Sequence, residues 1–145
     1  MGISSRASAI LEEIKDVTKL GELRRVAKEL KTDHALSMEL WSTGNLSARR
    51  LAILIMGRKE LDQELVDDLD RDVQRHSLDE PVWLFDWLMA NQLAKTATGR
   101  KLLESWEFSE SPLQRRLFWY RQARLRWTGQ TPPPNTESLL KAIEA

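Results

Sequence analysis

The chain has 145 residues, enough for one domain with a hydrophobic core but not for two of ordinary size. Its 22 basic and 22 acidic residues balance, and the absence of cysteine excludes disulfides and thiolate chemistry, as suits a cytoplasmic protein. Helix-forming residues dominate, and the longest apolar runs, such as LAILIM at 51–56, are too short to span a bilayer, so we expect an all-α fold without a membrane segment.

Helical periodicity and Gly, Pro and capping residues predict a succession of nine helices. Their expected ranges are 4–18, 23–30, 34–41, 46–56, 60–73, about 79–96, 100–108, 112–127 and a ninth that begins at 136. The segment TGQTPPPN contains three prolines and predicts an extended linker. We therefore expect a helical domain at 1–128, a linker at 129–135, and the start of a further helix of the same stack at 136–145. No capping signal follows that helix, so we interpret the chain as C-terminally truncated.

A short pattern recurs in two of the predicted helix pairs. ELW at 39–41 precedes ARRL at 48–51, and ESW at 104–106 precedes QRRL at 114–117. The copies lie about two periods of roughly 33 residues apart, which is the spacing of repeats built from helix pairs. The pattern favours an α-solenoid of antiparallel helix pairs.

The neutral total conceals two charged segments. Residues 61–90 hold nine acidic and two basic residues, whereas residues 111–128 hold five arginines and no acid. In the second segment the arginines alternate with aromatic residues, a pattern that suits phosphate and sugar contacts. The alternative is an amphipathic helix that buries its aromatics and pairs its arginines with the acidic helix.

The stretch WLFDW at 83–87 places a carboxylate between two tryptophans. On a helix Trp83, Asp86 and Trp87 share one face with Ala90, and the apolar residues at 82, 85, 89 and 93 share another. Asp86 is then either a structural residue bonded to a backbone N–H or to an arginine of the next helix pair, or a carboxylate that stabilises a developing positive charge. His34 and His76 are isolated and predict no metal site.

The segments LRRVAKELKTDHALSMELWSTGNLSARRLAILI and FDWLMANQLAKT resemble the AlkD-like DNA alkylation repair proteins. The resemblance covers most of residues 20–127 and implies a solenoid of HEAT-like helix pairs with a basic concave groove. It implies a protein that binds duplex DNA and, without cofactor or metal, releases N3- or N7-alkylated purines. We expect a monomer. These relatives act without flipping the base into a pocket.

The resemblance also assigns roles to residues of this chain. Asp86 matches the groove aspartate, Arg115 the groove arginine and Trp83 the first groove tryptophan. The family spacing from tryptophan to aspartate is four, and here it is three, so Trp87 is the alternative to Trp83. The predicted catalytic residues are thus Asp86, Trp83 and Trp87, and the predicted DNA-binding residues are Arg49, Arg50, Arg115, Arg116, Trp119 and Arg121. Of these, Arg49, Asp86 and Arg115 are expected to open onto one concave surface.

A second hypothesis is a non-catalytic helical-repeat module that binds DNA or a protein. The position of the acidic helix 60–73 distinguishes the two. On the convex side it leaves the groove basic, whereas over the arginines it favours a protein partner or a purely structural role.

Overall fold

The structure, a computed structural model, describes residues 4–75, 79–127 and 135–144. These residues form nine α-helices, two one-turn 3-10 helices and no β-strand, which confirms the all-α prediction. The helices are α1 (Ser5–Ile14), α2 (Leu20–Leu30), α3 (His34–Ser42), α4 (Leu46–Ile55), α5 (Gln63–Val73), α6 (Asp79–Asn91), α7 (Ala97–Glu104), α8 (Pro112–Trp127) and α9 (Thr136–Glu144). The 3-10 helices are Arg58–Glu60 and Leu93–Lys95. The predicted linker at 129–135 lies outside the described residues except for Asn135.

Several helices begin at a residue whose side chain accepts a hydrogen bond from a first-turn backbone N–H, as helix N-caps do. Asp33, for example, accepts from Leu36 N at 3.1 Å at the start of α3. The residues that cap in this way are Ser4, Asp33, Asn45, Asp62 and Thr96. These short polar side chains fix the helix starts because each satisfies a donor that the helix itself leaves unpaired.

Several predicted boundaries are wrong, among them the end of α1 at Ile14 and the end of α7 at Glu104, and two of them lie between α6 and α7. The helix α6 ends at Asn91 and not near 96, and Gly99 lies inside α7 and not between helices. Thr96 caps α7, and a Cβ on Gly99 would fall 2.1 Å from the Leu93 carbonyl oxygen. The glycine therefore permits the close approach of α7 to the preceding turn.

The even-numbered helices of the main body form one row. α2 contacts α4, α4 contacts α6, and α6 contacts α8. α3 packs against α4, α5 against α6 and α7 against α8. The helices α4, α6 and α8 therefore each contact an odd-numbered partner and at least one even-numbered neighbour. The helix α6 lies in the middle of the row.

Gln92, directly after α6, ties this helix to the end of α4. Its buried Nε2 donates to the carbonyl oxygen of Ile53 at 2.6 Å, and its Oε1 accepts from Arg58 Nε at 2.9 Å. The last carbonyls of a helix have no partner within the helix, so this amide satisfies an acceptor that burial would otherwise leave unpaired. The contact fixes how α6 lies beside α4.

Among the helices in the described ranges, none combines the length and apolar character that crossing a membrane requires.

The close approach at Gly99 generates a stability prediction. We expect Gly99→Ala to lower the free energy of unfolding by about 3 kcal/mol, because the new methyl group meets backbone atoms that cannot move aside alone. Gly21→Ala is the matched control, since nothing lies within 4 Å of its Cβ position, and alanine should stabilise the start of α2 by about 0.5 kcal/mol. Urea denaturation followed by tryptophan fluorescence measures both. Equal free energies for the two variants would contradict the packing at Gly99.

Candidate functional site

One face of α6 remains open, and it is the face that the sequence predicts. Leu84, Phe85, Leu88 and Met89 are buried, whereas Trp83, Asp86 and Trp87 are half-buried and Ala90 is exposed. The Trp83 and Trp87 rings stack with their centroids 5.3 Å apart and their planes at 26°. We call the four positions Trp83, Asp86, Trp87 and Ala90 the α6 stripe.

Asp86 forms an ion pair with Arg116 of α8. Arg116 Nη1 donates to Asp86 Oδ1, and the two side chains are 40% and 30% exposed, so solvent screens the pair in part. The Arg116 guanidinium also lies 5.4 Å from the centroid of the Tyr120 ring, one turn further along α8. The structural alternative for Asp86, a bond to an arginine of the next helix pair, is therefore present in this structure.

Two more guanidinium groups cover the tryptophans. The Arg50 guanidinium carbon lies 4.0 Å from the Trp83 ring centroid, and that of Arg24 lies 4.8 Å from the Trp87 centroid. Trp87 Nε1 donates to the Arg50 carbonyl oxygen at 3.0 Å, so α4 also fixes the indole orientation. Cations over aromatic faces are attracted by the ring quadrupole, more strongly where water is excluded.

Burial lowers the pKa of Arg50, and the negative charge of Glu80 opposes that effect. Within the described residues Arg50 Nε has no hydrogen-bond partner. An arginine remains charged despite such a shift, so Arg50 presents a partly desolvated cation beside the stripe.

The two RRL copies approach the stripe from opposite sides, but through their second arginines. Arg50 from α4 covers Trp83, and Arg116 from α8 binds Asp86. Arg49 instead is 6% exposed, donates through Nε to the Trp41 carbonyl oxygen at 3.1 Å, and stacks on the Trp41 ring at 4.7 Å. Burial lowers its pKa, while Asp72 opposes this effect.

The expectation that Arg49 opens onto the same surface as Asp86 is therefore wrong. Successive helix residues differ by about 100° in direction, so only one arginine of each pair can face α6. Arg115 is exposed and donates to the Ser109 carbonyl oxygen at 2.8 Å, on the loop before α8. The arginine that contacts Asp86 is Arg116, not Arg115. Trp119 is half-buried and packs edge-on against Phe118 at 5.2 Å.

Three cavities adjoin the stripe, and Ala90 lines all three. The Asp86 cavity, about 230 Å³, is lined by the stripe together with Met89, Tyr120 and Arg124. The Arg121 cavity, about 440 Å³, is bordered by Lys95, Arg100, Arg121 and Arg124. The Lys28 cavity, about 630 Å³, has as its charged lining residues Arg24, Lys28, Lys31, Arg58 and Lys95. Neither of the two larger cavities has a carboxylate among its described lining residues.

Most of these cations were not among the residues predicted from the sequence. Arg24, Lys28 and Lys31 recur at spacings of four and three on α2, which places them on one helix face, and this signal was available. Lys95 and Arg100 lie on either side of a turn whose geometry depends on Gly99. Nothing in the linear sequence brings that pair to α8.

The carboxylates of the acidic helix α5 contact Gln114 and Trp41, and not Arg115 or Arg116. Asp67 Oδ1 and Asp70 Oδ2 accept from Gln114 Nε2 at 2.9 and 3.1 Å, and Asp72 Oδ2 accepts from Trp41 Nε1 at 2.9 Å. Arg115 and Arg116 find their partners outside α5. The alternative in which α5 neutralises the α8 arginines therefore fails for this pair, and the cavities that border the stripe remain cationic.

Groups that could hold a metal ion are not formed by the histidine, aspartate and glutamate side chains of the described ranges. His34 accepts a hydrogen bond from Gly57 N through Nδ1 at 3.2 Å. His76 lies outside the described residues.

Comparison with known families gives a match over most of the chain. The profile of the family described as DNA alkylation repair enzyme matches residues 18–145. No curated protein and no solved structure matches the chain significantly.

The ion pair on the stripe is testable by a double-mutant cycle. We expect Asp86→Asn and Arg116→Met to show a coupling energy of about 0.5–1 kcal/mol in the free energy of unfolding, because both partners are only half-buried. The same cycle on Asp68 and Arg71, a more exposed pair on α5, should give a smaller value. In about 1 M NaCl both couplings should fall, since salt screens exposed charges. A coupling of zero at low salt for the first pair would contradict the contact.

Proposed function

The chain belongs to the DNA alkylation repair family, and from this membership we propose that it binds duplex DNA and hydrolyses the N-glycosidic bond of alkylated purines. The observation that carries the proposal is the position of Asp86, a carboxylate among Trp83, Trp87 and Tyr120 on a surface otherwise lined by cations. In this proposal the helices stack as HEAT-like pairs, and the row from α2 to α8 faces the DNA.

The charge of the surface supports DNA binding. The Lys28 and Arg121 cavities flank the stripe and bring basic side chains from α2, α6–α7 and α8 to one side. Contacts of this kind fix the position of a duplex without reading its sequence. The zero net charge is no obstacle, because the carboxylates of α5 form the separate cavity that contains Asp67 and Asp70.

The size of the Asp86 cavity favours chemistry at the sugar. Its volume of about 230 Å³ is below the roughly 300–1,000 Å³ of typical small-molecule pockets. An extruded nucleotide would not be enclosed there. The flat faces of Trp83 and Trp87 can instead pack against a deoxyribose that remains in the duplex, with the carboxylate directed at its C1′ atom.

The reaction needs little from the protein beyond a negative charge. A purine alkylated at N3 or N7 is cationic, so it takes the electron pair of the glycosidic bond and leaves as a neutral base without a proton donor. Positive charge develops on the sugar, and water then adds to C1′ and releases a proton. This leaving group makes a metal or cofactor unnecessary in the proposed mechanism.

Asp86 can supply enough energy for a measurable effect. Two unit charges about 4 Å apart interact by roughly 4 kcal/mol at the effective dielectric constant of a protein surface. A 100-fold rate enhancement requires about 2.7 kcal/mol. The carboxylate must be free of Arg116 to act fully, and a DNA phosphate offers that guanidinium an equivalent partner.

A second candidate function, a non-catalytic DNA-binding module, is favoured by the contacts of the stripe itself. Arg116 neutralises Asp86, and Arg50 and Arg24 cover the tryptophan faces that a sugar would use. Catalysis requires these contacts to open, whereas binding of DNA phosphates by the surrounding cations does not.

We expect duplex affinity to fall with salt at a slope of about −4 in log K against log [salt], if about half of the cations around the two larger cavities contact phosphates. Lys28→Gln should reduce the slope by about 1. The control is Arg71→Gln. Arg71 lines the acidic cavity, so this variant should leave the slope unchanged. Fluorescence anisotropy of a labelled duplex measures these values. A slope near zero would remove DNA as the partner.

We expect Asp86→Asn to reduce the release of alkylated purine by about 100-fold or more, the usual loss on removing one electrostatic stabiliser. DNA affinity should persist or increase, because the substitution removes a negative charge next to a polyanion. Asp68→Asn, which removes an exposed carboxylate of α5, is the control and should retain full activity.

Single-turnover assays on duplexes with N3- and N7-alkylated purines distinguish the two candidate functions. Full activity of Asp86→Asn would exclude Asp86 from the mechanism. No base release by the unaltered protein, with binding intact, would favour the non-catalytic module.

A further inference from the structure

The Arg121 cavity holds four cations that come from two separate parts of the chain. Lys95 and Arg100 come from the turn before α7 and its first turn, and Arg121 and Arg124 come from α8. They surround about 440 Å³, with Met89 and Ala90 of α6 among the apolar residues of the wall. Such a concentration of like charge costs free energy unless an anion offsets it.

The backbone that carries the first pair of cations is held in place before any ligand binds. Gly99 lets α7 lie directly against the Leu93 carbonyl, so the turn that carries Lys95 and the helix that carries Arg100 are fixed together. Arg100 Nη1 also donates to the Ala94 carbonyl oxygen at 3.2 Å. A binding group that is ordered in advance loses less entropy when the ligand arrives.

The positive charge of Arg121 is only partly compensated by the neighbouring residues. Burial lowers its pKa, and the charges of Arg100 and Arg124 lower it further, while Glu104 alone among these neighbours opposes the shift. Glu104 does not line the cavity. An anion in the cavity would therefore offset both repulsive interactions at once.

We propose that the Arg121 cavity binds a phosphate group of the nucleic acid whose sugar lies at Asp86. Planar guanidinium groups match phosphate oxygens with paired N–H donors, and three of the four cations are arginines. The cavity shares Met89, Ala90 and Arg124 with the Asp86 cavity, so one strand can reach both. The inference rests on the DNA binding proposed above and adds a defined anchor for it.

The phosphate has two possible sources. A backbone diester carries one negative charge, whereas a terminal monoester carries about two near neutral pH. The four cations can bind either group, and undamaged duplexes with a 5′-phosphate or a 5′-hydroxyl distinguish the two sources. Base release plays no part in this test, so failure of the glycosylase proposal leaves its result intact.

The decisive comparison uses two neighbouring positions of α7. Arg100→Gln should weaken duplex binding about tenfold at low salt and reduce the salt slope by about 1. Lys101→Gln makes the same change of charge at an exposed position outside the cavity and should alter affinity less than about twofold. Arg121→Gln should resemble Arg100→Gln. Because Arg121→Gln removes a half-buried charge, the melting temperature of this variant should not fall. Thermal melts verify that it folds.

The comparison of the two duplexes then identifies the source of the phosphate. Equal losses with both duplexes indicate a backbone diester, whereas a preference for the 5′-phosphate that Arg100→Gln abolishes indicates a terminal monoester. Equal effects of Arg100→Gln and Lys101→Gln on both duplexes would overturn the proposal, because the loss would then reflect overall charge. If the protein binds neither duplex, inorganic phosphate is titrated against the arginine Nε NMR signals. Selective shifts at Arg100 and Arg121 retain the phosphate site without DNA, and no shift excludes it.

Discussion

The structure of the site depends on the packing of α6 between α4, α8 and α5. Burial of Leu84, Phe85, Leu88 and Met89 fixes the rotation of this helix, since exposing any one of these side chains to water would cost about 1.5–3 kcal/mol. The remaining direction is open to solvent. Two indoles and a carboxylate therefore face outward without any polar residue of α6 directing them there. The neighbouring helices then determine which charges meet this face, because α4 and α8 each contribute an arginine at the height of the stripe.

Contacts between guanidinium groups and aromatic rings surround the stripe, together with the ion pair of Asp86. Arg24 and Arg50 lie over indoles, and Arg116 contacts both Tyr120 and the Asp86 carboxylate. Such contacts hold a cation in place without neutralising it, whereas an ion pair neutralises it. The surface is thus ordered and still positively charged. This property suits a polyanionic partner, since the side chains need not lose much freedom on binding.

Sequence periodicity predicts the helices and the open face of α6 because both depend on which residues are apolar, and burial follows that pattern closely. It does not predict which arginine of each Arg-Arg pair faces α6. A shift of one residue turns a side chain by about 100°, and the outcome depends on the contact of Arg49 with Trp41 of α3. The cationic group at Lys95 and Arg100 was missed for a related reason, because the approach permitted by Gly99 is a tertiary contact. Sequence patterns report local geometry well and interhelical geometry poorly.

In the proposed function, the ion pair between Asp86 and Arg116 connects binding to chemistry. A carboxylate that must stabilise a cation only while DNA is bound would attract unwanted cations if it were unpaired at other times. Pairing with Arg116 satisfies it in the free protein, and because both side chains are partly exposed the pair is weak enough to exchange. A phosphate that takes over Arg116 would release the carboxylate beside the adjacent sugar. The exchange conserves the number of ion pairs, so its free-energy cost is small compared with the roughly 4 kcal/mol that the released charge can supply. Recognition of the backbone and activation of Asp86 are then one event.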